Sequence, residues 1–173
     1  MIYRFVAISD EEESFIREFE LRETDTLLDF HNELQEELEY DRSQMASFFT
    51  ASKKWEKEEE FTLFEMGPGT SLMEEVTIDD IVIDKNQKLL YIFDHFNERA
   101  LFIEVTGTTE EIDGREYPSC TRSQGKPPKQ VQFANFIDPV IKNVTGLEDE
   151  DNDDIDDDPD LSDLEGIEDE EES

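Results

Sequence analysis

The sequence predicts an α+β fold, a β-grasp-like mixed sheet with one main packed helix, followed by a disordered acidic C-terminal tail. Three observations carry that expectation. Residues 88–107 are the most apolar part of the chain and divide into two β-favouring runs around a polar break, the pattern of a hairpin. Residues 26–38 place Leu27, His31, Leu34 and Leu38 on one helical face, with Phe30 beside them. The last 27 residues hold 17 Asp or Glu and no Lys or Arg, too much like charge and too little apolar character to collapse.

Each element has a local reason. Residues 2–8 read as a strand and 9–14 as an acidic turn. From 15 to 21, Phe15, Arg17, Phe19 and Leu21 alternate with Ile16, Glu18 and Glu20, the period of a half-buried strand paired with the first. Thr26, with Asp29 three residues on, marks a helix start, and acids there suit the helix dipole. His31 falls in the apolar stripe and reads as a packed, hydrogen-bonded histidine. Residues 45–51 form a strand through Phe48 and Phe49. The charged run 53–60 surrounds Trp55, which is expected to cover the core as a lid, and 61–64 is a short strand. Gly67-Pro68-Gly69 is a loop, Thr77 and Asp80 open one helical turn, and 85–87 turns into the hairpin. Its first run, 89–93, is unbroken apolar sequence, as in a central strand covered on both faces. Residues 114–129 read as a loop, and 131–144 as a short element packing back on the domain.

Charge divides the chain at about residue 146. Of the net −34, residues 1–146 carry 32 acids and 15 bases, so half the net charge lies in the final segment. The expected division is a globular domain over 1–146 and a tail over 147–173. Such acidity opposes direct binding to DNA, RNA or anionic lipid and favours a basic protein partner. Cys120 is the single cysteine, so no internal disulfide forms and a reducing compartment fits. No stretch approaches the roughly twenty apolar residues of a membrane span, and the first residues lack secretory flanks, so a cytoplasmic location is expected.

Several segments together resemble the plasmid pRiA4b ORF-3-like family, whose members are often labelled transposon passenger proteins. They are Ile16-Arg17-Glu18-Phe19-Glu20-Leu21, Thr26-Leu27-Leu28-Asp29-Phe30-His31, residues 45–49, Tyr91-Ile92-Phe93-Asp94, and Tyr117-Pro118-Ser119-Cys120 with Pro127-Pro128. The family pattern at the hairpin runs Tyr-Asp-Phe-Gly-Asp and then Trp and His. Here His95-Phe96-Asn97 stand in the Phe-Gly-Asp places, and Arg99 and Leu101 where Trp and His would fall. The resemblance implies the fold and assigns no activity, and this chain is a divergent member.

No catalytic, cofactor or metal set emerges from the side chains. Two histidines and one cysteine cannot close a structural zinc site without carboxylates. Asp149, Asp151 and Asp153 have the first spacings of a calcium loop, but Asp154 takes the glycine place and Asp160 the closing glutamate place. Ser123-Gln124-Gly125-Lys126 lacks the upstream glycine and following hydroxyl of a phosphate loop. Asp94 and His95 are candidate polar residues at the hairpin tip. The only locally basic segment holds Arg115, Arg122, Lys126 and Lys129, candidates for docking the tail or a partner. The expected function is a non-enzymatic protein-interaction module whose tail engages basic surfaces in cis or in trans. A nucleic-acid-mimicking regulator of a basic DNA-binding or mobile-element protein is the alternative. A hydrolase or metal enzyme using Asp94, His95, His31 or Cys120 is a further one.

Overall fold

In a computed structural model, which describes residues 1–130, the chain order is β1 (Ile2–Ser9), β2 (Ile16–Arg22), α1 (Leu27–Leu38), β3 (Ser47–Ala51), β4 (Lys57–Thr62), β5 (Ser71–Leu72), α2 (Ile78–Ile81), β6 (Lys88–Asp94), β7 (Arg99–Thr109) and β8 (Ser119–Gln124). The expectations for 131–144 and for the tail from 147 lie outside the described residues. The strands make one mixed sheet in the order β5-β4-β3-β6-β7-β1-β2-β8. All neighbours are antiparallel except β4 and β5. The fold is therefore α+β, with one dominant helix on an eight-stranded sheet. Among the described residues, no helix is long and apolar enough to cross a membrane.

Helix α1 begins where its sequence says it should. Thr26 Oγ1 accepts from the Asp29 amide at 3.1 Å, and the Asp29 carboxylate accepts from the Thr26 amide at 2.8 Å, a reciprocal capping box. The helix ends with Glu39 in the left-handed region, at φ 54°. The apolar stripe faces the sheet, and Phe30 is its centre. Its ring lies 5.1 Å from Phe5 of β1, 5.4 Å from Phe19 of β2 and 5.4 Å from Phe48 of β3. One side chain thus holds strands from both halves of the sheet to the helix, with the aromatic contacts adding to the burial itself.

His31 sits in this core as a neutral group. The Gln35 side-chain amide donates to the Tyr91 hydroxyl at 2.6 Å, and that hydroxyl is hydrogen-bonded to His31 Nδ1 at 2.8 Å. Burial, and secondarily the charge of Arg42, pushes the imidazole down to about 4.

The charged run 53–60 departs from expectation. Residues 57–60 are strand rather than lid, and β4 ends at Thr62 instead of running to Phe64. The outward side chains there are charged because β4 lies near the sheet's edge, where charge discourages unwanted pairing. Trp55 does not cover the main core. It packs edge-on against Phe102 at 5.1 Å, beneath the Lys88 ammonium at 4.3 Å, in a smaller cluster with Leu90, Ile92 and Ala100. A second correction concerns 114–129, which contains β8, paired with β2. Its side chains are largely exposed and show no apolar alternation; its extended state comes from the backbone ladder to β2.

His31 gives stability a pH dependence with a definite sign. The unfolded chain protonates it below about 6.5, the folded chain only near 4, so its contribution is complete above 6.5 and is lost as pH falls towards 4. Urea unfolding at pH 7 and pH 4 is expected to show a wild-type decline larger than that of His31→Gln by on the order of 3 kcal/mol. Equal declines in the two proteins contradict a buried neutral His31.

Candidate functional site

Beyond β8 the chain does not leave the domain at once. Residues 124–130 form a strap whose carbonyls are held by three buried side chains of the body. At its start, Arg17 of β2, only 4 % exposed, donates through Nη1 to the Gln124 carbonyl at 2.6 Å and through Nη2 to the Gly125 carbonyl at 3.1 Å. Period two puts Arg17 on the core side of β2 with Phe15 and Phe19, so its charge needs a partner there. Glu37 of α1 supplies one, 2.9 Å from Nε, although that N–H is not aligned for a hydrogen bond. Gly125 is obligatory at this point. Its φ is +72°, and a β-carbon there would fall on the Ser14 carbonyl.

In the middle of the strap, the Tyr40 hydroxyl donates to the Pro128 carbonyl at 2.5 Å. At its end stands Arg99, the first residue of β7, 8 % exposed. Nε and Nη2 each reach a Glu11 carboxylate oxygen at 2.7 Å, a bidentate pair. Nη1 contacts Asp94 at 3.4 Å and the Gln130 carbonyl at 3.2 Å, while Nη2 also donates to the Lys129 carbonyl at 2.6 Å. All five guanidinium N–H groups thus have acceptors. The guanidinium lies 4.8 Å above the Phe93 ring, and Tyr40 packs against the same ring at 5.4 Å. Gln130 closes the strap by donating to the Asp41 carbonyl at 2.9 Å and accepting from the Asp41 amide at 2.6 Å.

Local sequence explains how these groups arrive. Ser9 Oγ accepts from the amides of Glu11 and Glu12, which fixes the β1–β2 turn that carries Glu11. Asp94 accepts from the Asn97 amide and side chain, which closes the β6–β7 turn and leaves Arg99 at the mouth of the hairpin. Burial acts to raise the Asp94 carboxyl, but the Asn97 hydrogen bonds and Arg99 outweigh it and hold the group below the usual range.

The structure separates the residues singled out from sequence. Asp94 belongs to the Arg99 cluster, whereas His95 is exposed, with Nε2 3.3 Å from Ser47 Oγ. His31 is committed to Tyr91 in the core. The Cys120 thiol is pushed up to about 11, first by burial and then by Glu37, which leaves it a poor nucleophile at neutral pH. Arg115 pairs with Glu20 at 3.0 Å and Arg122 with Glu18 at 3.1 Å, both across to β2. Lys126 and Lys129 are exposed, and among the described residues neither side chain is in an ion pair. Among the described residues, too, no three His, Cys, Asp or Glu side chains converge as a metal-binding group. Arg17, Tyr40 and Arg99 are the site residues that sequence reasoning missed. The available signal was Arg17, an arginine at a core position of the alternating stretch 15–21.

Arg99→Ala removes the buried cation that half-buried Asp94, Glu11 and two strap carbonyls share, and is expected to cost about 1.5–3 kcal/mol in equilibrium urea unfolding. Arg122→Ala, whose partner is exposed, is expected to cost no more than about 1 kcal/mol. Similar losses for the two variants contradict the clamp.

Comparison with known proteins places the chain in a family. The sequence profile of the plasmid pRiA4b ORF-3-like proteins matches residues 2–157. No curated protein matches the chain. The crystal structure of a protein of unknown function from Methanosarcina mazei Go1 superposes with a TM-score of 0.55 at 17% identity, covering 70% of this chain and 68% of that one. That likeness concerns the fold alone. With the profile spanning most of its length, the chain belongs to the plasmid pRiA4b ORF-3-like protein family.

Proposed function

We propose that this chain is a non-enzymatic protein-interaction module, built on a β-grasp-like body, whose acidic C-terminal segment engages a basic surface of a cytoplasmic partner protein. The observation that carries the reading is where the charge lies. Seventeen acids in the last 27 residues have no basic neighbour in sequence. In the body, two of the four cations in the basic segment are already neutralised, Arg115 by Glu20 and Arg122 by Glu18. Lys126 and Lys129 alone are few against so many carboxylates, which favours engagement in trans. The groups that chemistry would need are employed otherwise: His31 in a core hydrogen-bond chain, Asp94 in the Arg99 cluster, Cys120 as a raised thiol.

The test compares the full-length chain with a full-length variant carrying Asp153→Asn, Asp154→Asn, Asp156→Asn, Asp157→Asn and Asp158→Asn. Titrated with a lysine-rich polypeptide of defined length at low salt, the variant is expected to bind at least about tenfold more weakly, and added salt to erase the difference. Equal binding at low salt rules out the electrostatic arm. If basic proteins captured from native extract are released by free duplex DNA, the partner is a DNA-binding protein and the segment acts as a nucleic-acid mimic.

A further inference from the structure

The strap is recognised mainly through its backbone, with the Gln130 side chain adding two hydrogen bonds to Asp41. Carbonyls of Gln124, Gly125, Pro128, Lys129 and Gln130 accept from Arg17, Tyr40 and Arg99. Within the strap only Pro128 is buried, and Lys126 and Lys129 stand in solvent. Residues 126–129 read Lys-Pro-Pro-Lys. Proline has no N–H to satisfy and favours an extended conformation whose carbonyls remain open to outside donors. Aromatic-lined grooves are one of the recurring ways in which proteins take proline-rich ligands. Here the wall is Tyr40 and Phe93 with Arg99 stacked on the latter, and three carboxylates, Glu11 and Asp94 paired with Arg99 and the exposed Asp41, stand around one guanidinium.

The donors do not depend on the strap for their placement. Three of the five Arg99 N–H groups are held by Glu11 and Asp94, and the Tyr40 ring by Phe93. With the strap lifted, Tyr40 and Arg99 would still present N–H and O–H groups at the right places for another chain's carbonyls. We propose that this groove is a docking site for a basic, proline-rich segment of a partner protein, and that the chain's own Lys126-Pro127-Pro128-Lys129 occupies it in cis as an autoinhibitory contact. The proposal rests on the interaction-module reading and names the contact made by the body rather than by the acidic segment.

A fluorescein-labelled peptide with the sequence of residues 123–130 serves as the probe, and its binding to the full-length chain is followed by fluorescence anisotropy. Pro127→Gly with Pro128→Gly loosens the internal ligand and spares the groove. That variant is expected to bind the probe at least about tenfold more tightly than wild type, because the competent state is no longer masked. Adding Tyr40→Phe is expected to remove the gain, and a probe with both prolines replaced by alanine to show none. An opened variant that binds no better than wild type, or that ignores Tyr40→Phe, overturns the proposal. Should the glycine variant fail to fold, tryptic cleavage of wild type at Lys129–Gln130 decides, since Arg99 holds that carbonyl. Saturating unlabelled peptide is expected to speed this cleavage several-fold relative to cleavage after Lys54, and an unchanged ratio overturns the proposal. The probe carries no acid-directed surface beyond its two lysines, so failure here is separate from loss of binding through the acidic segment.

Discussion

A guanidinium taken out of water is costly unless each N–H finds an acceptor, and Arg99 meets that condition only because separate stretches of chain converge on it. Glu11 arrives on the β1–β2 turn, Asp94 at the end of β6, and Lys129 and Gln130 at the end of the strap. None of these stretches is adjacent in sequence to all the others. The requirement to satisfy one buried cation therefore fixes the relative positions of the first hairpin, the central hairpin and the exit of the domain. Arg17 repeats the device at the other end of the strap, with Glu37 tying the helix into it. Polar groups in this protein specify where segments meet, while apolar burial supplies the driving force for collapse.

That driving force is concentrated on one face of the sheet. Phe30 touches rings from β1, β2 and β3, and Tyr91 continues the cluster into β6 through Phe48 at 4.9 Å. Leu101, which stands where the family pattern has histidine, is fully buried in this core, and Arg99 occupies the tryptophan place. The position that could have carried an imidazole is thus given to packing, and the neighbouring one to the clamp.

Much of the fold was legible because several elements obey local rules. The alternation over residues 15–21, the two capping boxes at Thr26 and Thr77, and the apolar run 89–93 each map onto an observed element. The two strands that were missed share one cause. Strand β8 and the charged part of β4 lie at or near the sheet's edges, where backbone pairing sets conformation and side chains keep no inside and outside. Trp55 was misplaced because a large ring in a charged run gives no hint of which sheet face it meets. The clamp was less legible still. Arg17 sits in a clear core register, yet its partners Glu37, Gln124 and Gly125 come from distant parts of the chain, and Arg99 looks in sequence like one more polar turn residue. Sequence periodicity reports burial of apolar groups; it does not report which buried charge a distant carboxylate will meet.

The most direct test of this account is the rotation of individual guanidinium groups, observed by side-chain arginine NMR on the isotopically labelled full-length chain. Arg17 and Arg99, held by carbonyls and carboxylates at both ends, are predicted to show separate, slowly exchanging Nη–H signals, because rotation about the Cζ–Nε bond requires breaking charge-assisted hydrogen bonds. The exposed Arg4 and Arg42 are predicted to show averaged signals. If Arg17 and Arg99 average as freely as these two, the strap is not clamped and the account fails.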